Sequence, residues 1–339
     1  MSKSENLYAI ILASGEDHRL KSLTEALSGV DAAKQFALIA GGGSLLQQTV
    51  ARYASQIPAE RMVVVVSSAQ EAVARAQLRE WPGIDLIARP AAWSAGLDLL
   101  LSVGRVFSRS PGARVVVTPA DHYVPHPEAW LDSVVAASKA LDQAGVILVG
   151  ATGRHRKSNQ AWIAPGKPLG GRIFSVERRG ERASPVQAAQ PAPGALWDTS
   201  TVVARAEYLW YLAARQMPMQ AEAVACFWAG RPSIASAAAT SCLEMPAIEL
   251  SGALLRGAKD VGVIAVRGSG WTEWNSAQDV IDSLEDRREL DLILSRILAR
   301  QRATGRTELR RRVRANSGQT TQLLQASARG PLPMGSVAA

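Results

Sequence analysis

Tyr8-Ala-Ile-Ile-Leu-Ala13, followed by Ser14-Gly-Glu-Asp-His-Arg-Leu20 and then by Lys34-Gln35-Phe36, is the stretch on which the fold turns. An apolar first strand runs straight into a small-residue turn, with an arginine and a lysine behind it. α/β proteins present backbone N–H groups and cations to a phosphate in this way. Gly15 can adopt a backbone conformation closed to other residues and lets the chain approach a ligand closely, and Arg19 and Lys34 would neutralise phosphate charge. Taken alone, the unit is equally consistent with plain strand-to-helix architecture.

Working outward, short β-branched runs alternate with helical patterns. Strands are expected at Tyr8 to Ala13, Met62 to Val66, Ile84 to Ala88, Arg114 to Thr118 and Val146 to Val149, with helical stretches such as Ser44 to Ser55 and Trp93 to Phe107 between them. That alternation implies βαβ units, a mostly parallel sheet and helices on both faces. Ligands then gather at the C-terminal strand ends. After Gly150 a smaller, mixed-sheet part is expected, with strands at Arg172 to Val176, Leu196 to Ala204 and Val261 to Val266 and a helix over Glu207 to Ala229. From Ser276 the chain reads as helix, and Ser317 to Ala339 as a disordered tail.

Composition narrows the class. At 47% hydrophobic and 20% charged residues over 339 positions, the chain reads as globular. No run approaches the roughly 18 apolar residues of a membrane-spanning helix. The N-terminal apolar run is only strand-length before Glu16, Asp17, His18 and Arg19, so no secretory signal is read and a cytoplasmic location is expected. Cys226 and Cys242 have neither disulfide-framework nor zinc spacing and read as small buried apolar residues. The net charge of +8 is concentrated in one place. Ten arginines (287, 288, 296, 300, 302, 306, 310, 311, 312 and 314) face only Glu289, Asp291 and Glu308 between Arg287 and Arg314. Such a helix could touch RNA, a membrane surface or an acidic partner, and without interleaved aromatics nucleic acid is disfavoured and a solvated face is the favoured reading.

Several constellations carry chemistry. Gly41-Gly-Gly-Ser44 lacks the lysine of a Walker motif and the spacing of a dinucleotide fingerprint, so Ser44 is expected to cap the next helix. Asp121, in Pro119-Ala-Asp-His122, stands just beyond a buried strand, where a hard cation such as Mg²⁺ would sit between it and phosphates. His122 is read as bonding to backbone. Glu273, in Gly270-Trp-Thr-Glu273, is a second carboxylate after another strand and gains weight by pairing with Asp121. Glu177-Arg178-Arg179 and Trp197-Asp198-Thr-Ser200 suit sugar hydroxyls and a sugar phosphate, or simply a charged hairpin.

In order along the chain, these motifs resemble those of the sugar-1-phosphate nucleotidyltransferases, most closely the mannose-1-phosphate guanylyltransferases. That family opens with a strand followed by G-G-x-G-T-R-L, then K-Q-F and S-L-L-Q-x-T-V, which resemble Ser14 to Leu20, Lys34 to Phe36 and Ser44-Leu-Leu-Gln-Gln-Thr-Val50 here. P-A-D-H recurs at Pro119 to His122. F-x-E-K-P is echoed by Phe174 to Arg179, W-N-S-G by Trp197 to Ser200, and G-W-S-D by Gly270 to Glu273, so the match spans residues 6 to 285 in order.

The resemblance implies a Rossmann-like nucleotidyltransferase domain over 1–285, its nucleotide-binding half about 1–150 and its sugar-binding half about 151–285, then a basic helical extension over 286–316 and a tail over 317–339. It implies Mg²⁺-dependent transfer from a nucleoside triphosphate, GTP favoured, to a sugar 1-phosphate, mannose 1-phosphate favoured. Arg19 and Lys34 would be catalytic, and Ala13, Ser14, Gly15, Arg19 and Lys34 would bind the nucleotide. Asp121 and Glu273 would hold the metal, and Glu177, Arg178 and Asp198 would contact the sugar phosphate. A homo-oligomer is compatible with the family. Departures also stand out: Asp17 and His18 replace small residues of the first loop, G-R-N-T-A after Glu-Pro has become Arg89-Pro-Ala-Ala-Trp93-Ser-Ala95, and T-G-Y-G-Y has become Lys157-Ser-Asn-Gln-Ala-Trp162. Base and sugar specificity therefore do not carry over, and a non-catalytic binding or regulatory relative is the alternative.

Overall fold

Val63 to Val66 and Val115 to Val117 are fully or almost fully buried, as strands covered on both faces must be. The computed structural model describes residues 6–16, 19–28, 32–40, 42–90, 93, 97–152, 160–180, 193–230, 257–284 and 287–303. Asp17, His18, Ser94, Ala95, Lys157 to Asn159, Cys242 and the tail from Ser317 lie outside the described residues.

The chain divides into two compact units, Met1–Gly15, Thr49–Ala120 and Val124–Trp271 forming the larger, and Glu16–Gln48, Asp121–Tyr123 and Thr272–Ala339 the smaller. In the larger unit nine strands form one sheet: β1 (Leu7–Leu12), β2 (Met62–Ser67), β3 (Asp85–Arg89), β4 (Arg114–Pro119), β6 (Val146–Ala151), β7 (Trp162–Gly170), β8 (Ile173–Gly180), β9 (Leu196–Arg205) and β10 (Val261–Val266). Their order is β3-β2-β1-β4-β9-β6-β10-β8-β7. β3, β2, β1 and β4 are mutually parallel, as are β6 and β10, whereas β9 runs against both β4 and β6. The architecture is α/β with a mostly parallel mixed sheet. β7 also pairs back onto β9, Trp162 opposite Trp197, so the last five strands close on themselves.

Helices α4 (Asp98–Arg109) and α6 (Ala206–Gln216) pack Leu99, Val103, Val106, Leu209 and Leu212 against Val63, Val65, Val115 and Val117. Those strand positions alternate, so one face of the sheet meets these two helices. Trp93, Leu97, Leu100 and Leu101 extend this layer onto α7 (Pro218–Trp228). α5 (Pro127–Lys139) packs against β4, β6, β9 and β10, and α3 (Glu71–Gln77) follows β2. Strand order reverses between β1 and β4, with β2 and β3 outside one and the later strands outside the other. Open α/β sheets bind ligands at such a switch point, beyond the C-terminal strand ends. Cys226, expected to be buried, is only partly so, because it lies on the half-open side of α7.

The smaller unit is built round α1 (Lys21–Ser28), a 3₁₀ turn at Lys34–Phe36, the start of α2 (Leu45–Ala54), the two-residue strands β5 (His122–Tyr123) and β11 (Thr272–Glu273), α8 (Ala277–Ser283) and α9 (Arg287–Ala303). Ser44 caps α2 as expected: its hydroxyl accepts from the Gln47 N–H at 3.1 Å, and the Gln47 side chain accepts from the Ser44 N–H at 3.0 Å. That reciprocal pair satisfies two N–H groups which the helix start leaves free. Leu20, Leu23, Leu27, Ile39, Tyr123, Trp274, Val280, Ile293 and Ile297 form its core.

Candidate functional site

In the larger unit, β1 delivers Ala13, Ser14 and Gly15 beyond its C-terminal end. Ala13 still belongs to the sheet through its N–H to Val65 O at 2.8 Å. Gly15 is exposed, has no positive φ, and a Cβ there would meet nothing within 4 Å. The backbone therefore does not itself demand glycine. Ser14 is buried and its hydroxyl donates to Asp98 Oδ2 in the first turn of α4. Asp98 also pairs with Arg89 Nε at 2.8 Å, and Arg89 Nη1 donates to the Trp93 carbonyl. Burial pushes the Asp98 carboxyl up to about 6, outweighing the Ser14 hydrogen bond and the Arg89 charge, which both pull it down. This Ser14–Asp98–Arg89 cluster ties the end of β1 to the ends of β3 and α4. Asp98 was not among the residues read from the sequence. The only signal was a lone acid within Leu97-Asp-Leu-Leu-Leu101.

The smaller unit brings together four of the residues singled out above. Lys34 is fully buried, with its Nζ 2.8 Å from Asp121 Oδ2 and 3.9 Å from Glu273 Oε1. Arg19 Nη2 lies 3.7 Å from the same Glu273 oxygen, and its side chain keeps 45% of its exposure. Asp121 and Glu273, far apart in the chain, meet because β5 and β11 form an antiparallel ladder with Glu273 opposite His122. His122 is itself buried, its Nε2 4.0 Å from Asp121 Oδ1. A buried ammonium is tolerated only when paired, and here two carboxylates pair it. Arg19 is the member best placed to reach outward.

Asp121 and Glu273 supply the hard carboxylate oxygens that Mg²⁺ prefers, and the Lys34 ammonium already lies against both. Among the described residues no group of three or more ligating side chains occurs, so phosphate and water would complete the shell, as is usual for this ion.

The third set lies on β8 and β9 of the larger unit. Asp198 is buried and accepts from Arg179 Nη2 at 2.7 Å. Its Oδ1 also takes the Ser200 N–H at 2.9 Å, and Ser200 sits at φ 53 where the β6–β9 register shifts, so a bulge aims this carboxylate. Arg178, exposed, stacks its guanidinium 5.4 Å from the Trp162 ring, and Glu177 is exposed. Arg179 is the β8 side chain that Asp198 contacts, whereas its neighbour Arg178 falls on the opposite face of the strand.

No family model and no curated protein sequence matches the chain. Solved structures do. A Thermus thermophilus protein described as mannose-1-phosphate geranyltransferase is 25% identical, with a TM-score of 0.70 over 83% of this chain and 80% of that one. A Helicobacter pylori protein described as mannose-6-phosphate isomerase is 14% identical, with a TM-score of 0.58 over 79% of this chain and 100% of that one. The inositol-1-phosphate CTP transferase of T. maritima is 16% identical, with a TM-score of 0.55 over 88% of this chain and 98% of that one. The resemblance to sugar-1-phosphate nucleotidyltransferases read from the motifs thus extends to the fold. A fold hosts several chemistries, so the reaction has to be argued from the site.

Proposed function

We propose that the chain transfers a nucleotidyl group from a nucleoside triphosphate to a sugar 1-phosphate, with GTP and mannose 1-phosphate the favoured pair. The observation that carries this reading is the Lys34–Asp121–Glu273–Arg19 cluster, in which Arg19, Lys34 and Asp121 match the family's motifs and Glu273 stands where the family has an aspartate. A sugar-phosphate oxygen attacks the α-phosphorus, a new P–O bond forms, the α–β phosphoanhydride breaks and pyrophosphate leaves. No covalent enzyme intermediate is needed.

The protein's work is positioning and charge. Ala13, Ser14 and Gly15 are assigned to the triphosphate, Ala13 anchored in the sheet by its N–H to Val65, and Arg19 brings a fork suited to phosphate oxygens. Lys34, pre-oriented by its two carboxylates, supplies positive charge where the reacting phosphates gain negative charge. Asp121 and Glu273 would hold Mg²⁺, which when bound neutralises charge spread over the phosphates. Asp198 and Arg178, with Glu177, are assigned to the sugar phosphate.

Pyrophosphate release from GTP and mannose 1-phosphate with Mg²⁺ tests the proposal, followed by other triphosphates and sugar phosphates. Asp121→Ala is expected to lower turnover by roughly two to three orders of magnitude. No turnover above that variant with any pair refutes the transferase reading and leaves the binding or regulatory relative.

A further inference from the structure

Each of the four charged residues of the smaller unit stands beside an apolar residue of one core. Leu20 follows Arg19, Ala37 and Ile39 come soon after Lys34, Tyr123 lies two beyond Asp121, and Trp274 follows Glu273; all are buried in the same cluster. α9 packs on the same cluster. Its Leu290, Ile293, Leu294 and Ile297 recur at helical spacing as one apolar stripe. The arginine-rich helix thus has an apolar face committed to the core that these neighbouring residues share.

Two polar contacts tie α9 to the segments that carry the site. Arg296 Nη2 donates to the Leu38 carbonyl at 2.9 Å and Nη1 to the Ile39 carbonyl at 3.4 Å. Residues 37–39 belong to neither helix nor strand, so no ladder takes those carbonyls, and a charged fork fills the role. At the near end of the same segment, the Ala37 N–H bonds to the Lys34 carbonyl at 3.2 Å. The Tyr123 hydroxyl donates to Glu289 of α9 at 3.5 Å, and the Tyr123 ring stacks on Trp274 at 4.6 Å between centroids. Tyr123 lies in the β5–β11 ladder opposite Thr272, Trp274 follows the ladder's Glu273, and Asp121 immediately precedes the ladder's His122.

We propose that α9 is a brace for the catalytic cluster and that Arg296 is a positioning residue, holding the backbone after Lys34 so that the buried ammonium stays on its two carboxylates. The catalytic consequence rests on the transferase reading above; the structural consequence does not. Lys34 is rigidly placed only if its short irregular segment is pinned on both sides, and Arg296 is the pin on the far side. The position of this arginine, rather than the total charge of the helix, is what matters.

Full-length Arg296→Ala and Arg302→Ala test this, because each removes one positive charge from α9 while the exposed Arg302 makes neither of these two contacts. Amide hydrogen exchange over residues 34–40 is expected to quicken roughly tenfold in Arg296→Ala and to stay unchanged in Arg302→Ala. In the transferase assay kcat is expected to fall about tenfold or more in Arg296→Ala alone, with the KM for nucleotide little altered. Arg296→Lys, which keeps a donor but loses the fork, is expected to recover part of both. Equal effects of the two alanine variants would mean that helix charge acts as a general field, and would overturn the proposal. So would unchanged exchange over 34–40 in Arg296→Ala. If the wild-type chain shows no transfer at all, the transferase reading fails on that assay while the exchange measurement still decides the brace.

Discussion

Asp98→Asn probes a buried carboxyl whose ionisation burial opposes. Its pKa in the folded chain is about 6, against an ordinary 3.8, because desolvation outweighs the Ser14 hydrogen bond and the Arg89 charge. The folded state therefore holds this proton more tightly than the unfolded chain does. Stability from that difference is fully present below the ordinary value and is lost as pH rises towards the folded value. A shift of about two units corresponds to roughly 3 kcal/mol. Urea unfolding of both chains is the assay, since carboxylates common to the two cancel in the difference. The stability of the wild type relative to Asp98→Asn should fall by about 2.5 kcal/mol between about pH 4 and about pH 7.5. A difference that is flat, or that rises with pH, would refute the reasoning. It would mean that Arg89, 2.8 Å away, outweighs burial.

Three further outcomes follow from the same geometry. Lys34→Gln should lower kcat/KM by roughly two to three orders of magnitude and also lower the thermal midpoint, because Asp121 and Glu273 lose their shared ammonium; unchanged kcat/KM in the transfer assay would remove Lys34 from the reaction. Arg179→Ala should cost about 3 kcal/mol in urea unfolding, since the buried Asp198 carboxylate loses its counter-charge, and Asp198→Asn combined with Arg179→Ala should recover part of it. Gly104→Ala, in the middle of α4, should destabilise by about 1 kcal/mol or more despite alanine's better helix propensity. The new Cβ would lie 2.9 Å from the Trp210 ring and 3.0 Å from Val224, and a thermal midpoint that rises would show that α7 yields.

How much was legible can be judged at particular places. β10 begins and ends at Val261 and Val266 as read, and β4 extends the expected Arg114 to Thr118 by one residue, because short runs rich in valine between polar turns leave little choice of element. Ser44 was legible as a cap because its three-residue spacing to Gln47 is local. Asp98 was not legible, since only burial and two remote partners distinguish it from any acid in a first helical turn. Nor was the burial of the stripe on α9, because a run of arginines hides the apolar positions 290, 293, 294 and 297 between them.

What the sequence by itself determined is therefore the alternation of strands and helices, the mostly parallel sheet they build, and the motif order that resembles a nucleotidyltransferase. These depend on residue pattern over short windows. Only tertiary structure decided that Lys34 is buried against both Asp121 and Glu273, that Ser14 is held by Asp98 and Arg89, and that α9 packs on the core shared by neighbours of the charged cluster. Charge pairing depends on distance through space, and a two-residue ladder that joins positions 122 and 273 leaves no local trace in the chain.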